Sequence, residues 1–137
     1  MSSADKSHKC EALVLMCIDF RFREQMQEKL QKKGLKNYDL LAYPGASLCL
    51  SSAANPAQKP LLDAINISKN LHDTKKVVIV EHEDCGAYGG SSSFESLDDE
   101  IAAHKEKLTL AVKAIEAEIG LPCIGYFAKL DGEFSAL

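Results

Sequence analysis

No stretch of this 137-residue sequence approaches the ~18 consecutive apolar residues that a membrane-spanning helix requires, so no membrane partner is expected. No block of Lys and Arg stands out either, and the net charge is −4. Nucleic-acid surfaces are built on basic patches, so that class of partner is not expected. No Cys-x-x-Cys pair occurs, which leaves thiol redox exchange without its usual motif. The five cysteines, at positions 10, 17, 49, 85 and 123, are odd in number and scattered, unlike a disulfide framework. They read as small buried residues or metal ligands in a reducing compartment. The segment Met1 to Lys6 lacks the charged-then-apolar layout of a signal peptide, and a cytoplasmic location is the expectation.

What is present is a soluble globular composition, 46% apolar and 26% charged. The length fits a single α/β domain over 1–137, with 1–10 as a loose lead-in. Ala12 to Cys17 is a continuous apolar run, the pattern of a strand buried on both faces. Arg23 to Lys33 holds strong helix formers and is stopped by Gly34. A strand over Tyr38 to Ala42 follows, then a turn-forming loop, Tyr43 to Ser47, and a helix from Pro60 to about Asn70. A third strand, Lys76 to Glu81, feeds the polar, glycine-punctuated loop His82-Glu83-Asp84-Cys85-Gly86. Gly89 to Ser93 reads as a flexible connector. Ser96 is placed to cap a long helix ending at Gly120, with Leu97, Ile101, Leu108, Val112, Ile115 and Ile119 as its core face. Pro122 to Ala128 reads as a last strand, followed by a turn at Asp131-Gly132 and a short tail. Strands alternating with helices predict a mainly parallel central sheet of about four to five strands, flanked by helices on both faces.

The chemistry gathers at two strand ends. His82 and Cys85 stand three apart after the third strand, and Cys17 closes the first. In a doubly wound sheet those strands are expected to be neighbours where strand order reverses, the place where such sheets hold ligands. Two thiolates and one imidazole form a catalytic zinc set with a fourth position open, and sulfur ligands favour zinc over magnesium or calcium. Two thiolates also cancel the formal charge of zinc, so a nearby acceptor is needed to help acidify water. If the backbone stays extended after Cys17, then Cys17, Asp19 and Arg21 point to one side, and Arg21 would hold Asp19 ionised and aimed. Glu83 and Asp84 read as solvated loop acids or as outer acceptors for a metal ligand, His104 as a buried or interface histidine, and His8 and His72 as surface residues. Cys10, Cys49 and Cys123 read as packing.

Cys17-x-Asp19-x-Arg21 followed by His82-x-x-Cys85-Gly86 resembles the motif pair of the β-class carbonic anhydrases. Asp39 to Gly45 is similar to that family's second strand and glycine loop, and Ile124 to Gly132 to its closing strand, so the likeness covers most of the chain. The resemblance implies zinc on Cys17, His82 and Cys85, with an Asp19–Arg21 dyad controlling the water. It implies reversible hydration of carbon dioxide to bicarbonate and a proton through a zinc-bound hydroxide. Asp19 would serve as a fourth ligand in a closed state. Gly45, Gly86 and Phe20 would border the substrate, and the chain would form a homodimer or higher homo-oligomer. Phe20 stands where the family usually has serine, and Ala42-Tyr43-Pro44-Gly45 where it often has Arg-Asn-Ala-Gly. Tryptophan is absent, so the bicarbonate inhibitory site that uses one in some members is not expected. Two other readings keep the same ligands: hydrolysis of carbonyl sulfide or carbon disulfide, and a zinc-binding homologue without activity.

Overall fold

Residues 7–137 are described in a computed structural model; positions 1–6 of the expected lead-in lie outside them. The strands are β1 (Ala12–Met16), β2 (Tyr38–Ala42), β3 (Val77–His82), β4 (Cys123–Ala128) and β5 (Phe134–Ala136). They form one sheet in the order β2-β1-β3-β4-β5. The first four are parallel, and β5 returns antiparallel on β4 through the expected turn at Asp131-Gly132. The chain leaves β1 to one side to form β2, then crosses back to lay β3 on β1's other side. The carboxyl ends of β1 and β3 therefore flank the point where strand order reverses, as the alternation of elements predicts.

Three α-helices cover the described sheet: α1 (Arg23–Lys32), α2 (Gln58–His72) and α3 (Leu97–Glu118). β1 and β3 are buried along their whole length, and their side chains alternate between two cores. Leu13, Leu15, Val77 and Ile79 pack with Leu61 and Ile65 of α2 and with Leu108, Ala111 and Ile115 of α3. On the opposite face Val14, Met16, Val78 and Val80 pack with Met26 and Leu30 of α1. Each such large aliphatic side chain contributes roughly 1.5–3 kcal/mol on burial, which makes these alternating strands the spine of the fold.

Three local expectations need correction. The backbone does not stay extended after Cys17: Phe20–Phe22 is a 3-10 turn, capped by Asp19, whose side chain accepts from the Arg21 N–H. A short acceptor side chain offers the backbone a local bond that competes with extension. The expected flexible connector, Gly89 to Ser93, follows one 3-10 turn at Gly86–Tyr88 and itself ends in another, Ser91–Ser93, where Ser91 donates to Asp84 and Glu100. Leu108, Ile115 and Ile119 of the expected α3 face are buried with Val112 packed against them, but in the first two turns Glu100 and His104 are buried in place of Leu97 and Ile101. Ser96 does cap α3, accepting from the Asp99 N–H at 3.1 Å.

Candidate metal centre

β1 and β3 deliver Cys17 and His82 to the same rim because they pair in parallel register, Met16 against Val80. Cys85 stands three positions after His82, where the loop bends into its first 3-10 turn. One ligand atom from each of Cys17, His82 and Cys85 lies within 4.8 Å of the other two, and all three residues are buried. Tetrahedral zinc with these ligands needs donor separations of about 3.5–3.8 Å, inside that span.

The His82 ring is oriented before any ion binds. Its Nδ1–H donates to the Glu83 carbonyl at 2.7 Å, and Phe22 stacks on the ring at 4.4 Å. That tautomer leaves Nε2 as a bare acceptor, and Nε2 is buried without a hydrogen-bond partner. A buried nitrogen lone pair beside two sulfurs is costly unless something accepts it. A soft divalent cation fits this donor set. Burial opposes charge on the imidazole, but the Cys17 sulfur, the Glu83 carbonyl and Asp19 outweigh it and raise its pKa. The surroundings of Nε2 thus favour positive charge.

The thiols share a proton unequally. A hydrogen bond from Cys85, helped by the Gly45 N–H, holds Cys17 well below the ordinary thiol range against its burial. The same sharing, with burial added, pushes Cys85 up. Gly45 reaches Cys17 in a left-handed conformation, φ +84°.

Arg21 grips Asp19 through Nε and Nη2, at 3.0 and 2.7 Å, and reaches across to Asp84 through Nη1 at 3.2 Å. These hydrogen bonds bring the Asp19 carboxyl down to about 2 and keep the guanidinium charged. Asp19 Oδ2 stands 3.9 Å from His82 Nε2, yet outside the mutually close set of three. Of the other expected site residues, Gly45 is buried against Cys17, Gly86 is exposed beside Cys85, and Phe20 is 80% exposed.

Sequence reasoning missed the layer behind this rim. Glu81, wholly buried at the end of β3, accepts from the Ser47 N–H at 3.1 Å and from His104 Nδ1 at 2.8 Å. His104 is buried, as expected, and stacks on Tyr88 at 3.9 Å. Glu100, in the first turn of α3, is buried as well. It accepts from the Asp84 N–H at 2.6 Å and the Ser91 hydroxyl at 2.9 Å, so α3 anchors the loop that carries Cys85. Glu83 and Asp84 are likewise bonded, Glu83 to the Leu130 N–H and Asp84 to the Ser91 N–H and Arg21. The available signal was a carboxylate directly after four apolar β3 residues, with Glu100 and His104 one helical turn apart.

Residues 7–137 match the family model described as "Putative carbonic anhydrase". Uncharacterized proteins of Rickettsia conorii and Rickettsia bellii are each 30% identical over 131 residues, 91% of this chain and 70% and 80% of theirs. The fold is similar to that of a β-carbonic anhydrase from Trichomonas vaginalis, with a TM-score of 0.66 at 13% identity over 99% of this chain and 86% of that one. It is also similar to a β-carbonic anhydrase of Aspergillus fumigatus, with a TM-score of 0.53 at 18% identity over 93% and 75%.

Proposed function

Because this chain belongs to that carbonic anhydrase family, we propose that it is a zinc enzyme catalysing the reversible hydration of carbon dioxide to bicarbonate and a proton. The observation that carries this reading is the bare, buried Nε2 of His82 beside two cysteine sulfurs, with a fixed carboxylate 3.9 Å away. Cys17, His82 and Cys85 would hold the ion, and zinc in such a site lowers the pKa of water and polarises an oxygen. Two thiolates neutralise its formal charge, so the neighbouring carboxylate carries a larger share of the work. Asp19 would accept a hydrogen bond from the reacting water and orient it, and Arg21 keeps Asp19 ionised and aimed. The Gly45 N–H stabilises the charge on Cys17. Gly45, Gly86 and Phe20 border the substrate's approach.

Homo-oligomerisation belongs to the same reading. β2 is an edge strand, and Ile18, Phe20, Leu40, Ile67 and Leu71 are exposed apolar residues. No described helix is long and apolar enough to cross a membrane. A reducing, cytoplasmic setting suits a site whose two thiols must stay reduced to bind.

The test combines metal analysis with stopped-flow assays on carbon dioxide, carbonyl sulfide and carbon disulfide. One zinc at this centre with carbon dioxide hydration is expected, Cys17→Ser losing that zinc and Asp19→Asn keeping it while losing most turnover. Turnover of only the sulfur substrates would reassign the reaction. Zinc bound with no turnover of any substrate between about pH 6 and 9 would remove the enzymatic reading.

A further inference from the structure

A second group of metal-ligating side chains lies at the opposite rim of the sheet, where β1 and β2 begin. Cys10 precedes β1, Asp39 is the second residue of β2, and His72 ends α2. One ligand atom from each lies within 4.8 Å of the other two. Seven residues of extended chain separate Cys10 from Cys17, about 20 Å at strand rise, so the two groups cannot share an ion. We propose that Cys10, Asp39 and His72 form a second binding site, for a borderline-soft divalent cation such as zinc.

The donor chemistry supports it. One thiolate, one carboxylate and one imidazole carry a formal charge of −2 and favour zinc over magnesium or calcium. All three residues are half-buried, which gives an ion both access and partial shielding. His72 Nδ1 and Asp39 Oδ2 share a hydrogen bond at 2.7 Å, which brings the imidazole and carboxylate together, and an ion bound by both would displace that proton.

Hydroxyls surround these donors as outer partners surround a metal site. The Ser68 hydroxyl donates to Asp39 Oδ2 at 2.6 Å, which aims the carboxylate. The Thr74 hydroxyl oxygen stands 3.2 Å from Cys10 Sγ and 2.6 Å from the Ser68 oxygen, so one buried hydroxyl pair links the surroundings of the two ligands. Burial opposes charge on Asp39, but the bonds from Ser68, His72 and Cys10 outweigh it and hold its carboxyl below the ordinary value. Asp39 is thus ready as an anion. Cys10 would release its proton on binding.

The unmodified full-length protein gives the first test. Stripped of metal and then saturated with zinc, it is treated with iodoacetamide and each cysteine's alkylation followed by peptide mapping. Cys10 is expected to react about tenfold or more slowly in the zinc-saturated protein, because a metal-bound thiolate is a poor nucleophile. Equal rates with and without zinc would overturn the proposal. The second test titrates the stripped protein with cobalt(II) and follows the thiolate-to-cobalt absorption. Two ions per chain are expected, falling to one in Cys10→Ser and His72→Ala and leaving a different one in Cys17→Ser. One ion in the parent, unchanged in Cys10→Ser, would also overturn it.

Discussion

Asp19 carries more of the account than any other side chain outside the three donors, and its behaviour rests on Arg21. The carboxyl sits at about 2 instead of its ordinary 3.8, first because Arg21 bonds it. A depressed carboxyl contributes stability that is complete above the ordinary value and lost as pH falls through about 2. Asp19 is therefore ionised throughout the neutral range, and an activity limb near pH 7 would belong to another group. Replacing Arg21 by Met is expected to return the Asp19 pKa toward 3.8, read from its side-chain carbon in NMR titration; an unmoved pKa would remove Arg21 as the cause. That Cys17, His82 and Cys85 come together was legible in the sequence, since their spacing and their places at strand ends are local facts. The route by which Asp19 and Arg21 meet was not. Alternation along a strand predicts it, whereas a 3-10 turn capped by Asp19 produces it.

At the scale of elements, α3 and the loop after β2 position the rim. The buried stripe of α3 includes two polar residues because each meets a partner from another element, His104 with Glu81 and Glu100 with the Cys85 loop. Apolar periodicity cannot reveal such a stripe, since polar residues score as surface until their partners are known. Replacing His104 by Ala leaves the Glu81 carboxyl without its closest side-chain donor, and urea denaturation is expected to show a loss of about 3 kcal/mol. A loss below about 1 kcal/mol would mean that the buried pair contributes little. Gly45 makes a separate point. A Cβ there would lie 3.0 Å from Leu48 Cβ and 3.1 Å from Ala87 Cβ, in a left-handed conformation. Gly45→Ala is expected to cost about 1–2 kcal/mol from the backbone alone, with weaker metal retention because its N–H touches Cys17. Unchanged stability and metal content would show that the loop tolerates a side chain.

For the whole molecule, the sheet order decides where chemistry gathers. Long buried strands and amphipathic helices made the parallel sheet and its two covered faces readable from alternation alone. β5 was read only as a tail after a turn, because a three-residue strand is defined by its bonds to β4, not by its own composition. The β2 edge, with Leu40 exposed on it and Ile67 and Leu71 in the same cleft, is the face proposed for self-association. Sedimentation velocity is expected to show a dimer or larger species that Leu40→Arg shifts toward monomer; a monomeric parent would remove that part of the proposal.

The central claim is a single ion held by two sulfurs and one nitrogen from two strand ends. The most direct measurement is zinc X-ray absorption on the Cys10→Ser/His72→Ala protein, loaded with one equivalent so that only the first centre is filled. Two sulfurs at about 2.3 Å and a histidine nitrogen at about 2.0–2.1 Å are expected, with one further light atom. A shell of oxygen and nitrogen without sulfur, or one containing a single sulfur, would contradict the account.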